Sequence, residues 1–247
     1  MAENKESTRL IVTLPCYKDS EFLAEAVEVL ENETKKYATD FKVLVVEDGS
    51  NSSKIVENLQ KKYRNITYFH SPERLGRGRA LRQAWRKVEG DAYLFMDVDL
   101  STDMRRMDAY AKLIRGVSEG GFDIVTGSRY LAESKAYRPI MRWLASKGYN
   151  FLVLLLFQTG ISDHQCGFKS FSRRCVIDMD TAVKSDSWFW DTEILVVAKK
   201  KGYRILEIPV FWVEMKGPRT PMIRLIKDIW LHGTGLLKLF LRVHVGL

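Results

Sequence analysis

Residues 92–99 read AYLFMDVD, five apolar residues followed by two aspartates that a single valine separates. A short apolar run of this kind predicts a buried strand, here ending at Met96. Asp97 and Asp99 would then project from the carboxyl end of that strand. Two carboxylates this close repel each other, and a hard divalent cation such as Mg²⁺ or Mn²⁺ would neutralise them. The alternative is that one aspartate only caps a helix beginning near Asp103.

Four more apolar runs predict strands, and helix-length segments separate them; the runs are residues 9–14, 41–46, 66–69 and 122–126. Alternating strands and helices predict an α/β fold with a mostly parallel central sheet flanked by helices. Such sheets bind ligands at the carboxyl ends of their strands. Acids and turn residues collect at these ends, namely Pro15, Tyr17 and Asp19, then Glu47 and Asp48, then Asp97 and Asp99, then Gly127, Ser128 and Arg129.

The composition limits the class of protein. The chain has 247 residues, of which 46% are hydrophobic, and a net charge of +8. It can bury a core, which excludes a fibre or a disordered tail, and the positive charge favours anionic partners. We expect no nucleic-acid partner, because the acids at the sheet edge would repel its phosphates. Cys16, Cys166 and Cys175 form no CxxC pair, and a charged N-terminus favours a cytosolic compartment with reduced thiols.

The second half of the chain has a different pattern. We predict a long helix over residues 138–158, a strand or loop over 163–171, a helix over 191–201 and a strand over 204–213. No window reaches about 18 uninterrupted apolar residues, so we expect no membrane span. Residues 222–243 alternate apolar and mostly basic positions at helical spacing, which predicts an amphipathic helix. Such a helix lies either in a membrane interface or against the core.

Six motifs in order carry a resemblance. Besides the polar strand ends they include Gly76-Arg77-Gly78-Arg79-Ala80, Gly127-Ser128-Arg129-Tyr130 and Gln165-Cys166-Gly167-Phe168-Lys169. From about residue 9 to about 220 the chain resembles inverting glycosyltransferases of family 2 with the GT-A fold, especially dolichyl-phosphate mannose synthases and, more closely, dolichyl-phosphate glucosyltransferases. The resemblance implies transfer of glucose or mannose from a UDP- or GDP-sugar to polyprenyl (dolichyl) phosphate, with Mg²⁺ or Mn²⁺.

The resemblance also implies roles for individual residues. The nucleotide sugar would be bound by Pro15, Tyr17, Asp19, Asp48, Asp97 and Val98. The metal would be held by Asp97, Asp99 and Ser101. The acceptor phosphate would be bound by Arg129, Arg142 and Ser146. Catalysis would depend on Asp99, Asp191 and Arg129. Arginine suits a phosphate because its planar fork donates two hydrogen bonds and keeps its charge.

Several of these positions have an ordinary alternative or depart from the family pattern. Asp191 belongs to a segment resembling W-x-F-D-x-E and would position the acceptor, or it would merely cap a helix. Arg142 alone would be a surface arginine of a basic protein. Ser101 stands where mannose synthases often carry Gln, and Asp19 stands where the family usually has Glu. The Gly76–Ala80 segment is a weak phosphate loop because it lacks Walker spacing.

These expectations define an organisation and its rivals. Residues 1–220 would form the catalytic domain, with a nucleotide-sugar half over about 9–130 and an acceptor half over about 131–220, and residues 221–247 would form a membrane-interface helix. The protein would act as a peripheral enzyme on the cytoplasmic face of a membrane. The first alternative is a family 2 enzyme that uses a soluble or protein-linked glycan acceptor. The second is a non-enzymatic nucleotide- or nucleic-acid-binding module.

Overall fold

The computed structural model describes residues 8–214 and 222–245, with the side chains of the second range described from Trp230 onward. The strands are β1 Leu10–Cys16, β2 Phe41–Asp48, β3 Ile66–Ser71, β4 Ala92–Met96, β5 Ile124–Ser128, β6 Lys135–Tyr137, β7 Phe168–Ser172, β8 Ile205–Pro209 and β9 Phe211–Val213. The helices are α1 Ser20–Thr34, α2 Ser53–Lys62, α3 Arg77–Trp85, α4 Ala109–Ser118, α5 Ile140–Phe157, α6 Arg173–Ala182, α7 Trp190–Lys200 and α8 Met222–His244.

The central sheet has seven strands in the order β3-β2-β1-β4-β7-β5-β8. All neighbouring pairs are parallel except those that β7 makes with β4 and β5, which are antiparallel. The α/β class with a mostly parallel sheet flanked by helices is therefore confirmed. The five strands predicted from apolar runs are β1 to β5. For the segment that forms β7, the sequence predicted only a strand or a loop. Its antiparallel pairing with β4 and β5 depends on strand order, which a local sequence pattern does not reveal.

The sheet is buried on both faces, which explains why its strands are apolar along their whole length. One face packs against α1, α2 and α4 through residues such as Leu23, Val56 and Leu113. The other face packs against α3, α5, α6, α7 and α8. Strands β7 and β8 come from the second half of the chain, so the donor and acceptor halves predicted from the sequence share one core.

Three predicted helices match the structure, one observed helix was not predicted, and one begins later than the sequence predicted. α5, α7 and α8 lie close to residues 138–158, 191–201 and 222–243, although the predicted amphipathic pattern of residues 222–229 lies outside the described side chains. Helix α6 was not predicted; Ser172 caps it by accepting a hydrogen bond from the Cys175 amide at 3.2 Å. The helix expected near Asp103 begins only at Ala109, so neither Asp97 nor Asp99 caps it.

Helix α5 bears on the expectation that the chain has no membrane-spanning helix. In the part of the chain that the structure describes, it is the one helix long and apolar enough to cross a membrane by length and composition. Both of its ends, however, return to the same domain. Strand β6 precedes it and pairs with β9, while Phe157 at its end and Asp163 shortly after are buried. This geometry favours a helix that lies along the surface of the domain.

Candidate active site

The aspartate pair lies at the carboxyl end of β4. The Asp97 amide donates to the Gly167 carbonyl at 3.0 Å, and Asp99 accepts a hydrogen bond from the Ser101 amide at 3.0 Å. Val98 between them is buried. Asp99 also lines a groove of about 270 Å³ between α1 and β9. The two carboxylates are therefore held on a short ordered loop at the edge of the sheet, as the sequence predicted.

Arg77 joins this pair to the interior of the protein. Its guanidinium donates to Asp97 and, from Nη1 at 3.1 Å, to Asp191 on α7. The guanidinium also stacks on the Trp188 ring, 3.8 Å from the ring centroid. Only 7% of the Arg77 side chain is exposed. The first turn of α3 thus places a fixed positive charge beside the aspartate pair.

Asp191 on α7 is a partner of Arg77. It is buried, and its second oxygen accepts a hydrogen bond from the Lys169 Nζ at 2.7 Å. It does not cap α7, because Phe189 occupies the N-cap position. Each oxygen of the Asp191 carboxylate therefore accepts a hydrogen bond from one cation, Arg77 or Lys169. Its contacts orient Arg77, and its expected role in positioning the acceptor stays a prediction.

The aspartate pair fits a divalent cation that a substrate would share. Burial and the nearby Asp99 and Asp191 carboxylates raise the pKa of Asp97, which shows the cost of concentrating negative charge here. Within residues 8–214 and 230–245, whose side chains the structure describes, no group of three or more His, Cys, Asp or Glu side chains could hold a metal alone. Mg²⁺ is commonly bound by one or two carboxylates together with substrate phosphates. The donor set of Asp97 and Asp99 matches that pattern.

Asp48 and Tyr17, which were predicted to bind the nucleotide, contact the segment just before α3. Asp48 is buried and accepts hydrogen bonds from the Leu75 amide at 2.5 Å and the Gly76 amide at 3.0 Å. Arg74 stacks on the Tyr17 ring, 3.4 Å from its centroid. Asp48 therefore fixes the loop before α3. Its expected direct contact with the nucleotide stays a prediction, as does that of Pro15 at the carboxyl end of β1.

Asp19 and Glu47 differ in their surroundings. Burial raises the pKa of Asp19, and the negative charge of nearby Asp99 raises it further, so these two carboxylates lie close enough to interact. Glu47 is fully buried and accepts hydrogen bonds from Ser50, Ser52 and Tyr68. Glu47 is consequently a structural residue that closes the turn after β2, while Asp19 belongs to the acidic edge.

Arg129 lies at the end of β5, as predicted, but it is largely buried. Its Nε and Nη2 donate to the two carboxylate oxygens of Asp163 at 2.7 and 2.8 Å. Each partner stabilises the charge of the other, so the pKa of Asp163 falls to about 2 although burial opposes this. The ring of Trp212 lies 5.4 Å from the guanidinium. Arg129 is therefore a fixed positive charge of the site with two of its nitrogens already used.

A second group of arginines lies at the start of α5. Arg142 is paired with Glu214, the residue after β9. Arg138 donates from Nη1 to the Ser146 hydroxyl at 3.0 Å, and this hydroxyl also contacts the Tyr130 hydroxyl. Arg142 and Ser146 thus share one helix end, as their spacing predicted. Arg138, which sequence reasoning did not single out, is next to both.

The acidic and basic groups converge on Cys166. Burial raises the pKa of this thiol to about 12, while the charges of Asp163, Arg129, Lys169 and Asp97 all act on it. The loop that contains Cys166 contacts both groups, because the Asp97 amide donates to the Gly167 carbonyl at 3.0 Å and the Gln165 amide donates to Asp163, the partner of Arg129, at 3.1 Å. Strand β7 produces this arrangement, because its leading loop, residues 165–167, runs between the ends of β4 and β5.

Sequence reasoning missed several residues of this network. Asp163, Glu214 and Arg138 carry no motif that a single sequence reveals, and their partners lie far along the chain. Arg77 was noted only as part of a weak phosphate loop. A stronger signal was Lys169, a charged residue inside an apolar strand, since a fully buried lysine requires a carboxylate partner.

The chain belongs to glycosyl transferase family 2, whose model matches residues 11–179. The fold is of the GT-A type, as in the solved glycosyltransferase structures that superpose on this chain. A glucosyl-3-phosphoglycerate synthase from Mycobacterium tuberculosis, solved with Mn²⁺, UDP and glucosyl-3-phosphoglycerate, superposes with a TM-score of 0.68 at 14% identity. The superposition covers 94% of this chain and 80% of that chain.

Two curated relatives are more similar in sequence. Glycosyltransferase AglD from Haloferax volcanii is 38% identical over 231 residues, which are 92% of this chain but only 36% of AglD. Dolichyl-phosphate beta-glucosyltransferase ALG5A from Trichomonas vaginalis is 32% identical over 250 residues, covering 97% of this chain and 75% of ALG5A. The chain thus spans about a third of the length of one relative and three quarters of the other.

Proposed function

We propose that this protein transfers a hexose from a nucleotide diphosphate sugar to polyprenyl (dolichyl) phosphate with inversion at the anomeric carbon. The observation that carries the proposal is that one loop, residues 165–167, contacts both charged groups: the Asp97 amide of the aspartate pair donates to the Gly167 carbonyl, and the Gln165 amide donates to Asp163, the partner of Arg129. One group suits a cation with its diphosphate, and the other suits a phosphate. The name of ALG5A supports dolichyl phosphate as the acceptor and glucose as the sugar. The choice between UDP and GDP stays open.

On the donor side, Asp97 and Asp99 would hold Mg²⁺ or Mn²⁺, with Ser101 as a further predicted ligand. When bound, the ion supplies positive charge to the departing diphosphate. Arg77 supplies a second, permanent charge to the same place, because Asp191 and Trp188 fix its guanidinium. Charges that are already oriented need no reorganisation during the reaction, which is the main source of such stabilisation.

On the acceptor side, no general base is required. A phosphate monoester has a second pKa near 6, so it is largely a dianion at pH 7 and is itself the nucleophile. The protein has only to orient that dianion toward the sugar, which is the task of the guanidinium groups. The burial of Asp191 between two cations agrees with this mechanism, since a proton acceptor there would be superfluous.

An exposed apolar surface on α5 and α8 supports a lipid acceptor. Helix α5 exposes the apolar side chains Ile140, Met141, Leu144, Phe151 and Leu155, and α8 exposes Trp230 and Leu237. The two helices pack together through Phe157 and Phe240, and Arg242 of α8 is paired with buried Glu193. Apolar stripes of helices that lie in the headgroup plane bind membranes in this way. A peripheral position on the cytoplasmic face remains part of the proposal. So does the division of the chain at residue 220, which lies outside the residues that the structure describes.

The experiment that tests the proposal follows a radiolabelled hexose from UDP-glucose or GDP-mannose into polyprenyl phosphate. We expect an organic-extractable product that mild acid hydrolyses, formed only with Mg²⁺ or Mn²⁺. Asp99→Asn should reduce its formation at least a hundredfold. Asp103→Asn is the matched control, because Asp103 is paired with Arg105 and Arg106 and has no proposed role. Label in a soluble glycan and none in lipid would contradict the proposed acceptor.

A further inference from the structure

Residues 184–188, between α6 and α7, form a segment that packs on the first turn of α3. The Asp186 carbonyl of this segment accepts hydrogen bonds from the amides of Gly78 at 2.9 Å and Arg79 at 3.4 Å. These are two of the amides that the start of an α-helix leaves without a partner in the helix, and Gly76 at the N-cap position has no side chain to bond them. The 184–188 segment therefore caps α3.

The two glycines of the Gly76-Arg77-Gly78 motif allow this contact. A Cβ at Gly76 would lie 2.2 Å from the Asp186 carbonyl oxygen, and a Cβ at Gly78 would lie 2.5 Å from the Ser185 carbonyl oxygen. Glycine is the residue that lets two backbone segments approach this closely. The motif that was weak as a phosphate loop thus serves as the packing surface for the 184–188 segment.

The same segment fixes Arg77, the cation beside the aspartate pair. Arg77 stands between the two glycines, so the backbone on both sides of it packs against the segment. The Trp188 ring at the end of the segment stacks on the Arg77 guanidinium, 3.8 Å from the ring centroid. The position of the 184–188 segment consequently determines where this guanidinium lies with respect to Asp97.

Glu193 on α7 holds the 184–188 segment in this position. Its carboxylate is buried, with 3% of the side chain exposed, and accepts hydrogen bonds from the amides of Lys184 at 2.9 Å and Ser185 at 2.7 Å. Arg242 of α8 is paired with the same carboxylate. Because a buried carboxylate that loses its cation is strongly destabilised, Arg242 stabilises Glu193 in the place where it bonds both amides.

We propose that Glu193 and Arg242 are positioning residues for the donor diphosphate, and that they act through the 184–188 segment on Arg77. Helix α8 is then part of the donor side of the enzyme, whether or not its outer face binds a membrane. This assignment rests on the proposed function, because there Arg77 supplies charge to the departing diphosphate. It also gives a task to Glu193, the last position of the segment that resembles W-x-F-D-x-E.

The test measures binding of UDP and of GDP, each with Mn²⁺, to the purified chain by titration calorimetry, and follows the nucleotide that wild type binds more tightly. Arg242→Gln removes the charge of a side chain that is 30% exposed, and we expect at least fivefold weaker binding. Lys238→Gln is the matched control. It removes the same charge from an exposed position of α8 and should leave the affinity unchanged. Wild-type affinity in Arg242→Gln would overturn the positioning role.

A double-mutant cycle with Arg77→Lys tests the route of this effect, since residues that act through one another are not additive. Lysine lacks the guanidinium fork that the segment orients. In the Arg77→Lys background, Arg242→Gln should therefore weaken nucleotide binding less than twofold. Losses that simply add would overturn the action through Arg77.

Transfer kinetics separate this inference from the proposed function. Arg242→Gln should raise the KM for the nucleotide sugar at least fivefold and leave the KM for polyprenyl phosphate within twofold, whereas equal increases in both would indicate a general defect and overturn the inference. If wild type transfers hexose to polyprenyl phosphate while Arg242→Gln binds nucleotide normally, the proposed function stands and only this inference fails. If wild type binds neither nucleotide with Mn²⁺ and transfers no hexose, both fail together.

Discussion

The guanidinium of Arg77 is paired with Asp97, the first aspartate after β4. The two residues lie 20 positions apart and come from different elements, so the contact arises from the packing of α3 against the sheet. Gly78 in the first turn of α3 permits α3 to pack closely against α7, which carries Asp191, because a Cβ at Gly78 would lie 2.7 Å from the Trp190 side chain. The site therefore contains a cation of its own next to the carboxylates proposed to bind a metal.

We predict that Arg77→Lys lowers the rate of sugar transfer at least tenfold while the protein remains folded. A lysine keeps the charge but cannot donate to Asp97 and Asp191 at once or stack as a plane on Trp188. Initial rates with saturating acceptor would measure the effect. Arg86→Lys serves as the control, because its partner Asp180 lies on another surface. An undiminished rate in Arg77→Lys would refute the charge-positioning role.

Gly167 lies against the carboxylate of Asp97, and a Cβ at this position would overlap it. We predict that Gly167→Ala displaces the carboxylate and reduces metal-dependent transfer at least a hundredfold. Gly148→Ala is the comparison, since no atom lies within 4 Å of its added Cβ. In that helix alanine should be neutral or raise the free energy of unfolding by up to about 1 kcal/mol. Full activity of Gly167→Ala would show that sugar transfer does not require the Asp97 carboxylate in its present position.

The outer face of α8 should bind membranes without supporting the fold. We predict that the double substitution Trp230→Ser and Leu237→Ser lowers binding to anionic liposomes at least tenfold, because both side chains are exposed and apolar. The melting temperature should stay unchanged. Leu239→Ala should instead lower the free energy of unfolding by about 2–5 kcal/mol, since Leu239 is buried. Equal liposome binding by the double variant and wild type would exclude this face of α8 as a membrane-binding surface.

His164 should make stability depend on pH. Burial lowers its pKa to about 4, whereas an unfolded histidine titrates near 6.5. Above pH 6.5 both states are neutral, and between pH 6.5 and 4 only the unfolded state binds the proton. Stability should therefore fall with pH across this window, by about 3 kcal/mol in total at about 1.4 kcal/mol per pH unit.

Denaturant titrations at several pH values would measure this loss. His164→Asn should flatten the profile between pH 6.5 and 4, because asparagine does not titrate. Its stability at pH 7 should be lower than that of wild type, since the ring contacts Thr159 and Asn150 within hydrogen-bond distance. A slope that persists in the variant would assign the pH dependence to another group.

The amino-acid sequence by itself determined the parallel strands β1 to β5 and the polar residues at their carboxyl ends. Both features are local: an apolar run forms a strand buried on both faces, and the chain must become polar where that strand leaves the core. Asp97, Asp99 and Arg129 were found in this way, and the order of the motifs indicated the family. The spacing of Arg142 and Ser146 was sufficient to place them on one face of α5.

Only the tertiary structure decided which of these charges meet. Strand β7 inserts antiparallel between β4 and β5 and brings Lys169 and Cys166 to the aspartate edge. It is this packing that directs Asp191 to Arg77, 114 residues away, and Glu214 to Arg138. Pairing of this kind depends on strand order and on how helices pack against the sheet. No local pattern encodes those relationships, because each partner is an ordinary charged residue until the fold places the other beside it.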